Sequence, residues 1–280
     1  MEDQYVSSLC LGFLPATQKR KEPALVCMGQ GGKAAKVPLS GNVSLEFSRT
    51  ISCIGHYDGT IHHECPEMKT GVRQCRDCRR EDIKNAYTFG DFSKYPQLYE
   101  KSLSTEFAIY LAQFGATVQK IGLARSGRAL ERLCEQGADY GCIIATFTGP
   151  EPAYAAEMAI AGRFGFRTAV SAKAKAQNLV FDAGFGRMNF SKAVEEIFSA
   201  GLPLDEKPPA IHEFGEYYPQ MRKAPKKSDS ISGEVAGTKG MLLFFSSPAG
   251  FFYMDMKDCI GRHFSSKKPE PKSQSSLFDF

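Results

Sequence analysis

The stretch FAIYLAQFGATVQKIGLARSGRALERLCEQGADYGCIIATF, residues 107–147, decides how the centre of this chain folds. Phe107 to Phe114 and Val118 to Leu123 are short runs of aliphatic, aromatic and β-branched residues, the composition of strands. A helix is expected near Gly127 to Gln136 and a third strand over Gly141 to Phe147. A second helix is expected from Pro152 to about Phe164, with Pro152 in the first turn, where a missing N–H removes no hydrogen bond. The order strand, strand, helix, strand, helix predicts an α+β module over residues 101–200.

Outward from that block the chain changes character. Residues 1–50 hold β-prone runs, Tyr5 to Phe13 and Asn42 to Phe47, split by a Gly/Lys-rich stretch from Gly29 to Lys36. Residues 51–100 hold a cysteine-rich segment and an aromatic connector. Residues 201–227 are rich in Pro and Lys and read as a linker. Residues 228–264 carry β-like runs, Met241 to Phe245 and Gly250 to Met254, among several glycines, and predict a small β-domain that the N-terminal strands would complete. Residues 265–280 are polar and Pro-broken at first, the composition of a disordered tail.

With 280 residues and 42% hydrophobic content, the chain can bury one large or two modest cores. Its longest apolar runs, Ala108 to Ala112 and Met241 to Phe245, fall far short of the roughly 18 to 20 residues that span a bilayer, so no membrane partner is expected. The start, Met1-Glu2-Asp3-Gln4-Tyr5, is acidic where a signal peptide is basic, so a cytoplasmic location is expected. A formal charge of +4 is too small to argue for nucleic acid, and motifs must carry that claim.

Four of the nine cysteines, Cys53, Cys65, Cys75 and Cys78, have the spacing C-x11-C-x9-C-x2-C. A C-x2-C pair lets two thiolates of one tight turn meet one zinc ion, and two more close a tetrahedron with no open position, which makes a structural site. The competing readings are four reduced thiols, a redox C-x2-C, or substitution of a cysteine by His56, His62 or His63. Cys10, Cys27, Cys134, Cys142 and Cys259 are scattered and read as ordinary buried thiols of a reducing compartment.

Ala108-Ile109-Tyr110 followed by Lys120-Ile121-Gly122, with Arg132-Leu133-Cys134-Glu135-Gln136-Gly137-Ala138 behind them, resembles the paired strands and arginine-bearing helix of the GIY-YIG nucleases. Together with the cysteine-rich segment, the stretch from about Cys53 to Phe264 resembles the domain of unknown function family 2797. The resemblance implies a GIY-YIG-like small mixed sheet with flanking helices. It also implies metal-dependent hydrolysis of a phosphodiester, in which one glutamate holds magnesium or manganese, a tyrosine activates water and an arginine holds phosphate. On these motifs Tyr110 matches the tyrosine, Arg132 the helix arginine with Arg128 one turn earlier, Glu157 the metal-binding carboxylate and Asn178 a late asparagine. Lys120 stands where active relatives carry a second tyrosine, and a lysine replaces a neutral phenol only with a large pKa shift.

Bland alternatives exist for each residue. Tyr110 suits a strand core, and Arg128 and Arg132 beside Glu131 and Glu135 suit a solvated helix face. Glu157 is harder to dismiss, because Ala153, Ala155, Ala156, Met158, Ala159, Ile160 and Ala161 surround it and a lone carboxylate there calls for a cation.

The stretch Gln274-Ser275-Ser276-Leu277-Phe278-Asp279-Phe280 matches Q-x-x-L-x-x-F, and so resembles the PIP-box peptide that docks on the sliding clamp PCNA. Leu277 and Phe280 would share one side of a 3₁₀ turn, and Gln274 would meet a polar pocket; the alternative is an apolar end folded onto its own domain. Three functions follow: a structure-selective DNA endonuclease recruited by the clamp, a catalytically degenerate nucleic-acid-binding adaptor, or an RNA-directed factor.

Overall fold

A computed structural model describes residues 8–28, 34–85, 92–202, 204, 209–221 and 223–266. The clamp-like segment, Gln274, Leu277 and Phe280 included, lies outside the described residues.

The first strands are β1 (Ser8–Leu14), β2 (Ala24–Met28), β3 (Ala34–Pro38), β4 (Asn42–Ile51), β5 (His56–Tyr57) and β6 (His62–His63), followed by helices α1 (Arg76–Glu81) and α2 (Pro96–Leu103). The central module contains β7 (Glu106–Phe114), β8 (Val118–Arg125), α3 (Ala129–Gln136), β9 (Tyr140–Thr148) and α4 (Pro150–Phe164). Then come α5 (Ala172–Gln177), α6 (Ala183–Ser199), β10 (His212–Glu213), β11 (Lys226–Lys227), β12 (Ile231–Lys239), β13 (Leu242–Ser247), β14 (Gly250–Asp255) and β15 (Arg262–Ser266).

The module sheet has the order β10-β9-β7-β8. Each of its strand pairs is antiparallel, which corrects the mixed sheet expected from the resemblance; the parallel contact is an isolated bridge between Lys120 and Arg167. Strand β7 is buried along almost its whole length because it is covered on both faces. Ile109 and Leu111 pack with Ile160 of α4 and Phe190, Val194 and Ile197 of α6. Tyr110, Ala112 and Phe114 point the other way, toward Leu133 and Cys134 of α3. Period-2 alternation thus sends Tyr110 to the α3 face.

The two chain ends interleave in a sheet far larger than the small β-domain expected, with the order β11-β14-β13-β12-β4-β15-β1-β2-β3. Strand β15 lies between β1 and β4, and β12 pairs with the other edge of β4. The segment expected to be a linker is also part of the fold. Phe214 and Tyr218 are buried against α3, and the Tyr218 hydroxyl donates to the carbonyl of Ala138 at 2.8 Å.

The large sheet and the module are joined at a buried ion pair. Lys239, at the end of β12, donates to both carboxylate oxygens of Asp139 at 2.7 Å, and both side chains are almost fully enclosed. Beside it Gly240 (φ +58°) passes so near the end of α3 that a Cβ there would lie 2.6 Å from the Gln136 carbonyl oxygen. Only glycine allows that approach without strain. Helix α4 starts at Pro150 rather than at Pro152, and α3 starts two residues after the expected position, behind a 3₁₀ turn over Ser126–Arg128. No helix among the described residues is long and apolar enough to cross a membrane.

Candidate active site and metal centre

Cys53 follows β4, Cys65 follows β6, Cys75 caps α1 and Cys78 lies in its first turn, so two strand ends and one helix start meet at a point. The four Sγ atoms all lie within 4.8 Å of one another, and Cys65 Sγ is 3.9 Å from Cys75 Sγ. A tetrahedron with bonds of about 2.3 Å has edges of about 3.8 Å, so the sulfurs fit one zinc-sized ion. Backbone N–H groups already point at them: Cys75 N and Gly55 N donate to Cys53 Sγ at 3.2 and 3.4 Å, and Cys78 N donates to Cys75 Sγ at 3.5 Å. Such donors favour thiolate.

Burial pushes the Cys53 and Cys78 thiols up. At Cys65 burial acts in the same sense, but the backbone N–H groups of Lys69 and Glu67 and the neighbouring cysteines outweigh it and bring the thiol down to about 7. The histidines are engaged elsewhere. His62 Nε2 meets the Ile54 carbonyl, while His63 Nε2 meets Asp58 Oδ2 at 2.7 Å and stacks on His56. The four cysteines therefore form a closed set able to hold a metal such as zinc.

A second cluster opens on the surface of the module as a cleft of about 490 Å³. Tyr110, Lys120, Arg128, Arg132, Glu135 and Glu157 all line it, together with Tyr154. Tyr110 sits in the middle of β7 directly across from Gly122 of β8. Its ring lies over that glycine so closely that a Cβ on residue 122 would be 2.4 Å from the phenol oxygen. Here the small residue in Lys120-Ile121-Gly122 has a packing reason, because a tyrosine on the neighbouring strand needs the space.

Gln136, the last residue of α3, ties the cleft together. Its side chain donates to the Tyr110 hydroxyl at 2.5 Å and accepts from Lys120 Nζ at 2.8 Å, while its backbone carbonyl accepts from Lys175 Nζ at 2.6 Å. Arg128 and Arg132 reach the two oxygens of Glu135 at 2.9 and 3.2 Å, Arg128 Nε also lies 3.5 Å from Glu131, and both arginines remain half-exposed. Glu157 projects from α4, one turn after Tyr154, and has no ion-pair partner among the described residues.

The electrostatics follow from this crowding. Burial, then the charge of Arg132, draws the Lys120 ammonium down to about 8 against the pull of Glu157. Burial raises the Glu157 carboxyl, with Lys120 opposing. Burial also raises the Tyr110 phenol, although Gln136 and Arg132 work against it. Lys175, packed 4.5 Å from the Phe114 ring centre, falls to about 7 through burial and repulsion from Lys257, Lys120 and Arg132.

Five of the six residues singled out in the module thus share one cleft. Asn178 does not: it caps the end of α5, donates to the Ala174 carbonyl at 2.8 Å and packs against Gly115. The sequence motifs miss Gln136, Tyr154 and Lys175. Gln136 is accessible to helical spacing, since it follows Arg132 by four residues and so shares its helix face. Tyr154 likewise precedes Glu157 by three.

The family model described as "Protein of unknown function (DUF2797)" matches residues 41–262, most of the chain. No curated protein and no solved structure matches it.

Proposed function

Because the chain belongs to the DUF2797 family, we propose, on the chemistry of the cleft, a GIY-YIG-like nuclease function: metal-dependent hydrolysis of a phosphodiester in DNA. The observation that carries this reading is the meeting of Tyr110, Lys120, Arg128, Arg132 and Glu157 in one cleft although they come from separate elements. Glu157 is a half-buried carboxylate with its proton affinity raised by burial, the state of a group that lacks a cation. A single carboxylate with room for water and phosphate oxygens suits magnesium or manganese. When bound there, such an ion would polarise the phosphoryl oxygen and offset the charge that develops on it.

The chain's own residues divide the remaining work. Arg128 and Arg132 would turn their forks from Glu135 onto phosphate oxygens, a bidentate match that lysine lacks. Lys120, held near 8, is partly neutral in mildly alkaline solution and can accept a proton from an attacking water. Tyr110, with a raised pKa, stays a phenol, and Gln136 fixes its hydroxyl. That arrangement answers the missing second tyrosine with a lysine whose pKa is shifted.

The four cysteines would carry structural zinc and brace the module from the side. The nine free thiols suit a reducing, cytoplasmic compartment. The segment Gln274 to Phe280 would recruit the sliding clamp, with Leu277 and Phe280 as anchors. A catalytically degenerate adaptor is the second reading, favoured by Glu135, which occupies both arginine forks.

The test is incubation of the full chain with flapped, branched and nicked DNA in magnesium or manganese, with and without clamp. Incision that disappears in Glu157→Gln supports hydrolysis. DNA binding without incision supports the adaptor, and absence of both overturns each reading.

A further inference from the structure

The cleft holds an amine whose surroundings differ from those of an ordinary phosphate-binding lysine. Lys120 Nζ donates to an amide oxygen, that of Gln136, and none of the ion pairs among the described residues includes it. It lies 5.8 Å from the centre of the Tyr110 ring and is half-buried beside Arg132. Burial beside a second cation is the environment that turns lysine into a nucleophile, because both effects favour the neutral amine. The groups that face it are Tyr110 from β7, Gln136 and Arg132 from α3, Glu157 from α4, Lys175 from α5 and Lys257 from the turn after β14. Glu157, which has no ion-pair partner among the described residues, lines the same cleft.

We propose that Lys120 gives this cleft a second, metal-independent activity: imine formation with the aldehyde of an abasic site in DNA, followed by β-elimination of the 3′ phosphate. The inference rests on the nucleic-acid reading above, but not on hydrolysis or on a bound divalent ion. Its reacting group differs, since an abasic sugar offers a carbonyl carbon where an intact nucleotide offers only phosphorus.

The chemistry balances without an oxidant or reductant. The Lys120 amine attacks the C1′ aldehyde, and the carbinolamine hydroxyl takes a proton from solvent and leaves as one water to give a protonated imine, a proton that hydrolysis of the imine returns to solvent in the last step. The Glu157 carboxylate takes the C2′ proton; the C2′–H electron pair becomes the C2′=C3′ bond, and the C3′–O bond breaks with its electrons leaving on the phosphate oxygen. One water then hydrolyses the imine and restores the amine, so the water lost in the first step is returned in the last. Arg128 and Arg132 hold the flanking phosphates, and a cleft of about 490 Å³ accepts a sugar between them.

The experiment uses the full chain, an oligonucleotide carrying one abasic site, EDTA and sodium borohydride, which reduces the imine to a stable amine. The expected result is a covalent protein–DNA band that peptide mapping assigns to Lys120. Lys120→Arg, which keeps the charge and removes the nucleophile, should lower the band by about a hundredfold or more. Glu157→Gln should still be trapped but should release the 3′ strand about a hundredfold more slowly. No adduct from the parent chain, an adduct mapped to another amine, or equal trapping by Lys120→Arg overturns the proposal. Metal-dependent cutting of intact DNA is scored in a separate arm, so loss of the hydrolytic reading and loss of this one give different results. Mapping on the parent chain keeps the test decisive even where a variant folds poorly.

Discussion

The cysteine cluster and the cleft are assembled in opposite ways. The four thiols come from residues 53–78, converge from short elements and accept from backbone N–H groups. The cleft draws side chains from β7, β8, α3 and α4, and its last brace, Lys175, comes from α5. Four sulfurs this close cannot all ionise without a cation, so that site should behave as all-or-none. In the cleft, Arg128 and Arg132 already meet Glu135, and Lys120 offsets Glu157, so its behaviour should be graded.

The largest effect expected from breaking this contrast is at the cysteines. Cys75→Ser removes one ligand and the cap of α1 together. Binding of structural zinc contributes on the order of 10 kcal/mol to a small site, so the variant should lose its metal and the order of residues 53–85. Metal analysis and thermal unfolding would check this. A parent chain without metal, or a variant with unchanged melting, would end the metal reading.

The next effect lies at the junction of the two sheets. Lys239→Met leaves Asp139 buried with Gly115 N–H as its remaining charge-stabilising donor, an uncompensated charge that costs about 3–5 kcal/mol. Replacing both partners with apolar residues should recover most of that loss. Chemical denaturation of the two variants separates the cost of an orphaned charge from the worth of the pair.

Gly122→Ala should destabilise by about 1–3 kcal/mol, because the new methyl collides with the enclosed Tyr110 ring. Metal content should not change, since the collision is confined to β7 and β8. A shift of the denaturation midpoint with full metal occupancy would establish that the two regions are energetically separate. Loss of metal would contradict it.

The remaining effect is a pH dependence, spread over several pH units. Lys175 has a folded pKa of about 7, below its ordinary value of 10.5, so above pH 7 the unfolded chain binds more protons than the folded one. Stability therefore rises as pH rises from about 7 toward 10, and the desolvation penalty is fully present below 7. One such group gives a slope of about 1.4 kcal/mol per pH unit. Lys175→Met should be more stable than the parent near pH 6, with the difference shrinking toward pH 10. A constant difference across that range would show that Lys175 keeps its proton in both states.

Much of the candidate chemistry is legible in the order of the residues. The C-x2-C pair announces ligands that one turn brings together, and the small and apolar run around Glu157 singles out a carboxylate that calls for a cation. Arg128 and Arg132 follow from helical spacing. Asn178 misleads because a lone polar residue after Lys173-Ala174-Lys175 carries no periodic signal, and its side chain satisfies a local carbonyl. Residues 201–227 resemble a linker because Pro and Lys dominate them, whereas Phe214 and Tyr218 anchor the segment by burial that composition averages away.

By itself the amino-acid sequence determined the order of the module's strands and helices, the cysteine spacing and the identity of the candidate side chains that line the cleft. Those are local properties, governed by residue type, period and turn chemistry over a few positions. Only the tertiary structure decided that the two chain ends build one nine-stranded sheet, that Gln136 links Tyr110 to Lys120, and that Lys120 and Lys175 lose much of their affinity for protons. These depend on which distant groups become neighbours and how much water they exclude, and no spacing along the chain records either quantity.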